Sequence, residues 1–202
     1  IACENGHKDV VQLLLEHSDI IELNAKDNDG FTAFMMACFD GNKDVVQLLL
    51  DHPNLSIDLN ARDNGGGTAF MSACDNGQSD VVQLLLNHSD KIELNVKDIY
   101  GQTAFEFACF EGHKDVVQLL LEHSDIIELN AKNIDGMTAF MLACEYGLSD
   151  VVKVILDHSN SGIDLNATNC HGFTAFMFAC GNGRKDVVQL LLNHSDKIEL
   201  NA

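Results

Sequence analysis

Cysteine recurs at Cys3, Cys38, Cys74, Cys109, Cys144 and Cys180, a beat of 35 or 36 residues that runs through the whole 202-residue chain. The same beat carries the asparagines of an L-N motif, Asn24, Asn60, Asn95, Asn130, Asn166 and Asn201. It also carries His17, His52, His88, His123, His158 and His194, and T-A-F triplets that start at Thr32, Thr68, Thr103, Thr138 and Thr174. A fixed period of this length excludes a single globular core. Each unit is too small to bury its own apolar face and does so by stacking on its neighbours.

Each unit has the same internal order. A D-x-x-G turn such as Asp27-Asn28-Asp29-Gly30 comes first. A short helix is predicted from Thr32 to Phe39, with the Thr32 hydroxyl placed to cap the first free amides. Thr103 and Glu106 form the T-x-x-E capping-box pattern. Gly41 breaks that helix, and a second one is predicted from Lys43 to His52, with Asp44 in its first turn and His52 in its last, as the helix dipole favours. Val45, Leu48 and Leu49, at i, i+3 and i+4, are expected to share its buried face. A loop such as 53–62 leads to the next turn.

These residues resemble the ankyrin repeat. The fourth unit, Gly101-Gln102-Thr103-Ala104-Phe105-Glu106-Phe107-Ala108-Cys109-Phe110-Glu111-Gly112-His113-Lys114-Asp115-Val116-Val117-Gln118-Leu119-Leu120-Leu121, follows the family's G-x-T-P-L-H-x-A-A-x-x-G-H-x-x-V-V-x-L-L-L pattern. Ala replaces the family's Pro, Phe its Leu, Met or Glu its His, and Cys its second Ala. The loop after the second helix is two or three residues longer and lacks the usual capping Gly. The resemblance implies an all-α ankyrin-repeat solenoid of stacked helix-turn-helix units with projecting turn loops, a single array over 1–202. Its repeats are expected at about 1–30 (partial), 31–66, 67–101, 102–136, 137–172 and 173–202 (partial). Ile1 falls inside a unit, so the stretch is expected to come from a longer array.

A second, longer period lies over the first. Units one and four share the loop H-S-D-I-I-E-L-N, and units three and six share H-S-D-K-I-E-L-N. The chain therefore reads as a duplicated block of three units, offset by 106 residues. When 1–96 is laid over 107–202, 27 of 96 pairs differ. The family's concave face is built from turn tips and first helices, and 13 of the 15 pairs in those slots differ. Exposed second-helix positions such as Lys8, Gln12, Glu16, Asp51 and Asn87 match their partners. Variation concentrated on one face of a largely constant frame suits recognition.

The resemblance thus implies partner contacts from Asn28, Asp29, Phe31, Met36, Phe39, Asp40, Asn64, Ser72 and Asp75. In the middle of the chain it adds Ile99, Tyr100, Gln102, Phe107, Phe110 and Glu111. Further on come Ile134, Asp135, Met137, Leu142, Glu145, Tyr146, His171, Phe173 and Phe178. About half of the large apolar residues among them are expected to be accessible, with Phe107 and Phe178 folding back onto neighbouring repeats. Phe107 and Phe110 are i, i+3, and Tyr100 and Met137 are expected to flank them.

Charge narrows the choice of partner. The chain has 12 Lys and Arg against 31 Asp and Glu, a formal net charge of −19. That balance opposes binding to nucleic acid phosphates and to anionic membrane surfaces. With an apolar fraction of 46% the chain is not disordered, and no apolar run reaches the roughly 18 residues of a membrane span. A protein partner is expected, with apolar anchors in a neutral or basic surround. The chain itself is expected to be an intracellular monomer whose ends stack weakly head to tail.

No G-x-S-x-G, phosphate loop, H-E-x-x-H or paired-carboxylate motif occurs, so neither catalysis nor a cofactor is implied. The repeat cysteines read as small buried apolar groups, too far apart across stacked helices to form disulfides. The histidines read as helix-end residues and not as shared metal ligands, and no metal site is implied. Cys170, beside His171 at a turn tip, reads as an exposed thiol. The L-N asparagines resemble the sites of asparaginyl hydroxylases, which makes Asn24, Asn60, Asn95, Asn130, Asn166 and Asn201 modification candidates. Their side chains also suit a structural role, bridging loop backbones between units. The alternatives to a free-standing scaffold are a recruiting module cut from a larger enzyme or effector, and an engineered or structural repeat without a native ligand.

Overall fold

The turn, not the helix, sets the register of each unit. In the first described turn the Asp27 carboxylate accepts the N–H groups of Asp29 and Phe31, both at 2.9 Å, and Gly30 closes the turn with φ +88°. A side chain at Gly30 would bring a Cβ to 2.7 Å from the backbone nitrogen of Asn64 in the next turn. Glycine is therefore required here for both conformation and space. Asp63, Asn133 and Asn169 close their turns in the same way.

The computed structural model describes residues 1–17, 21–52, 57–158 and 162–200. Among them are eleven α-helices and no strand, with an isolated bridge between Thr168 and Thr174. A single helix, α1 (Lys8–Leu15), is followed by five helix pairs. They are α2 (Ala33–Phe39) with α3 (Lys43–Asp51), α4 (Ala69–Asp75) with α5 (Ser79–Leu86), α6 (Ala104–Phe110) with α7 (Lys114–Glu122), α8 (Ala139–Tyr146) with α9 (Ser149–Asp157), and α10 (Ala175–Gly181) with α11 (Lys185–Asn193). The chain packs as two compact units, Ile1–Ile99 and Tyr100–Ala202. In the first, α2 packs on α4, and α3 lies between α1 and α5. In the second, α8 lies between α6 and α10, and α9 between α7 and α11.

Each first helix starts where a threonine hydroxyl accepts the amide three residues on, as Thr68 does from Met71 at 3.3 Å. Thr103 and Glu106 complete the expected capping box, and in α2 the Met35 thioether takes the place of the glutamate. Thr32 is therefore the cap just outside the observed helix, which was expected to begin with it. Phe34, Phe70, Phe105 and Phe140 are fully buried beneath these caps. Each contributes up to about 3 kcal/mol of burial. Glu106 is buried at the repeat position that Met35, Met71 and Met141 hold in other units, where they too are buried.

The second helices end one or two residues before the repeat histidine. The buried face of α3 is Val45, Val46, Leu49 and Leu50; Leu48, expected there, is only half-buried. The histidines do close their helices. The Nδ1 atoms of His88, His123, His158 and His194 each lie 2.9 Å from the carbonyl oxygen four residues back. His52 differs because its backbone is already extended, and its Nδ1 is buried with no partner among the described residues.

Candidate partner-binding face

Within each of the two compact parts, two sets of hydrogen bonds tie successive units together. At the tips, Asn64 N–H donates to the Asp29 carbonyl, Ile99 to Gly65, and Ile134 to Tyr100, all within 3.0 Å. Along the loops, the L-N asparagines reach forward. Asn60 Oδ1 accepts the Glu93 N–H at 2.8 Å while its Nδ2 donates to the Lys91 carbonyl at 3.0 Å. Asn130 does the same with Asp164 and Gly162, and Asn166 with Glu199 and Lys197. Asn24 accepts from Asp58. The expected structural role of these side chains is observed; Asn201 lies outside the described residues.

A column of cations runs beside the asparagines. Lys26 donates to the Arg62 carbonyl, Arg62 to that of Lys97, and Lys132 to that of Thr168. These charges are tied to backbone oxygens of the next unit. The two ion pairs among the described residues, from the Ile1 amine to Glu4 and from Lys43 to Asp80, are exposed and weak.

A third column was not foreseen from the sequence. In three units the residue after the helix-breaking glycine reaches the preceding unit and bonds a carbonyl where its first helix or opening turn ends. Asn42 donates to the Cys3 and Glu4 carbonyls, Gln78 to the Phe39 carbonyl at 3.0 Å, and Arg184 Nε to the Glu145 carbonyl at 2.7 Å. In the fifth unit the position holds Leu148, whose methyl group lies 3.5 Å from where a Cβ on Gly112 would be. Leu148 has no donor to offer the corresponding Phe110 carbonyl. The signal in the sequence was a polar residue after glycine, broken once by leucine.

The candidate contact residues divide by exposure. Asn28, Asp29, Phe39, Asp40, Asn64, Ile99, Tyr100, Glu111, Ile134, Asp135, Tyr146, His171 and Phe173 are exposed. Phe31, Met36, Ser72, Asp75, Gln102, Phe107, Phe110, Glu145 and Phe178 are half-buried. Met137 and Leu142 are buried, contrary to expectation. The Met137 amide donates to Asn133 Oδ1, and its sulfur lies 3.6 Å from the Asn169 amide of the next turn, which covers it. Leu142 is enclosed because α8 is packed on both sides. Ile134, at 68% exposure, takes the flanking place beside Tyr100 that was expected of Met137.

The aromatic residues are paired. Phe110 and Tyr146, on consecutive first helices, meet edge to face with ring centroids 4.8 Å apart. Phe31 meets Phe39 at 6.4 Å, and Phe173 meets Phe178 at 5.8 Å. Phe178 thus rests on a residue of its own unit, not on a neighbouring repeat. Phe110 and Phe107 are braced within the surface, while Tyr100, Ile134 and Tyr146 stand out of it.

The thiols follow the stacking. Cys3, Cys38, Cys74, Cys109 and Cys144 are buried and free, and burial pushes Cys38, Cys74 and Cys144 far above the usual thiol range. Cys170 is exposed, as expected at a turn tip. Cys180, expected to be buried, is also exposed, because among the described residues no further helix pair covers α10. Among the described residues no group of three His, Cys, Asp or Glu side chains is arranged to hold a metal ion.

Stacked helix pairs and bonded turn tips define the class as a helical repeat protein. A family model described as ankyrin repeats matches in three copies, residues 1–63, 54–133 and 125–202, and the chain belongs to the ankyrin repeat family. Repeats of this family generally mediate protein–protein interaction and are typically non-catalytic. Among curated proteins none matches the chain significantly. No helix among the described residues is long and apolar enough to cross a membrane.

Proposed function

We propose that the chain is a non-catalytic recognition scaffold and that its partner protein binds the face made by turn tips and first helices. One observation carries this reading: the two copies of the three-unit block differ at 13 of 15 slots on that face and at 14 of the 81 other pairs. Drift at exposed sites would scatter the outer face of the second helices equally; there Lys8, Gln12, Glu16, Asp51 and Asn87 equal their counterparts, while Lys43, Gln47 and Ser79 differ. The exposed side chains of Tyr100, Ile134 and Tyr146 give the face apolar anchors. Large aromatics of this kind dominate interface energy when they sit near its centre. An intracellular setting suits the buried free thiols. Hydroxylation of Asn24, Asn60, Asn95, Asn130, Asn166 or Asn201 is a separate proposal, read as a +16 Da shift on the corresponding peptides.

The test compares a partner isolated on the intact chain with variants of it. Tyr100→Ala with Phe110→Ala is expected to weaken binding at least about tenfold, roughly 1.4 kcal/mol. Gln118→Ala, on the exposed side of α7, is expected to leave affinity intact. Loss of binding in the control with retention in the double variant would move the interface to the second helices and overturn the reading.

A further inference from the structure

We infer that units four to six bind an amphipathic helix of the partner, one that presents an apolar side chain every seven residues and basic side chains around them. This rests on the scaffold reading and names the partner's chemistry and shape. The duplication supplies the first observation. On the variable face, Glu4, Asn28, Asp40, Gly67 and Ser72 of the first copy stand where the second has Phe110, Ile134, Tyr146, Phe173 and Phe178. Among the same slots the opposite change occurs once, Phe39 against Glu145. Drift would exchange polar and apolar residues both ways, so the second block is marked for an apolar contact that the first does not make.

The second observation is placement. The residues lie in the compact unit Tyr100–Ala202, where α8 is packed between α6 and α10. Each of its three units contributes one side chain at the opening turn and one on the first helix: Tyr100 with Phe110, Ile134 with Tyr146, and Phe173 with Phe178. Tyr100, Ile134, Tyr146 and Phe173 are between 49% and 68% exposed. Phe110 is braced on Tyr146 and Phe173 on Phe178, so these rings lose little freedom when a partner covers them.

The step along the stack selects the occupant. Packed helices lie about 8–10 Å apart, and the apolar pairs recur at that interval. Seven residues of α-helix advance about 10.5 Å and return to nearly the same face, so anchors at i, i+7 and i+14 meet three successive units. In an extended strand the side chains of one face recur at about 6.8 Å and are out of step by the second unit. Charge sets the other side of the helix. Glu111 and Asp135 are exposed beside Phe110 and Ile134, while Lys132 and Arg184 are turned to the carbonyls of Thr168 and Glu145. A partner helix with lysine or arginine around its anchors complements that surround.

The probes are acetylated and amidated 22-residue peptides of alanine and lysine with three leucines. The leucines stand seven residues apart in the first and five apart in the second, at equal composition; in the third, a proline replaces one alanine between the leucines of the first. Each is titrated into the full isotope-labelled chain at physiological salt. The seven-residue spacing is expected to bind at least about tenfold more tightly than either other peptide and to shift the amides of 100, 134, 146 and 173. Ile134→Asn with Phe173→Gly, which copies Asn28 and Gly67 of the first block, is expected to reduce that advantage to below about threefold, and Ile134→Asn alone to reduce it in the same direction. Gln118→Ala, on the exposed side of α7, is expected to leave it unchanged. Circular dichroism melts show whether each variant is folded, and Ile134→Asn alone keeps the test decisive if the double variant is not. Equal affinity for the two spacings overturns the inference. Equal binding of the proline peptide gives the face to an extended segment and overturns it too. Self-association that shifts the same amides without peptide gives the face to a second copy, with the same consequence. An advantage that Gln118→Ala lowers as much as Ile134→Asn marks diffuse attraction and also overturns it. Each of these results leaves the scaffold reading standing if the Tyr100 and Phe110 variants still weaken the isolated partner.

Discussion

Asn60→Ala isolates the forward reach of the loop asparagines. The side chain spans two units and makes two hydrogen bonds, 2.8 Å from the Glu93 N–H and 3.0 Å to the Lys91 carbonyl. Each bond is worth about 0.5–1.5 kcal/mol net. The residue is half-buried, so water recovers part of the loss, and the expected destabilisation is about 1–2 kcal/mol. Gln47→Ala is the reference. That amide pairs with Asp51 along a single helix, and its removal is expected to cost less than about 0.5 kcal/mol. Urea unfolding followed at 222 nm gives the global effect. Hydrogen exchange gives the local one: the Glu93 amide is expected to exchange about 5–30 times faster in the variant. If Asn60→Ala unfolds within about 0.5 kcal/mol of the parent and Glu93 keeps its protection, the asparagine column does not join the units.

Other expectations follow from the same geometry. Of seven thiols, Cys170 and Cys180 are expected to react rapidly with a chromogenic disulfide reagent and the buried five only on unfolding; a third fast thiol would contradict the packing. Gly30→Ala should destabilise more than Gly172→Ala. Both glycines have positive φ, but a Cβ meets the Asn64 backbone at 2.7 Å in the first case and nothing within 4 Å in the second. Equal losses in thermal melts would show that the close approach is relieved at no cost. Phe140→Ala should cost about 3–5 kcal/mol as a cavity in a filled core, and a loss below about 1 kcal/mol would deny that core.

The helices were legible because their signals are local and repeat: a threonine cap, a glycine break and an apolar face in each unit. The bridging asparagines were legible for the same reason, since one residue kept at one beat implies one job. Met137 and Leu142 were misplaced because their burial depends on the neighbouring unit, through Asn169 in one case and the two-sided packing of α8 in the other. Ile134 was recognised as a contact, but its place beside Tyr100 depends on a backbone bond between turns that no side-chain pattern announces. Leu148 stood in plain view, and its meaning emerges only when Asn42, Gln78 and Arg184 are seen to do one job.

The loop bonds also bear on how such a chain changes over generations. Asn24, Asn60, Asn130 and Asn166, with Lys26, Arg62 and Lys132, all address main-chain groups of the unit that follows. Every amino acid except proline supplies both of those groups. At these bonds a unit asks nothing of its successor's side chains, so they survive when unequal crossing-over exchanges, deletes or duplicates units. The 106-residue duplication is the pattern such an exchange leaves.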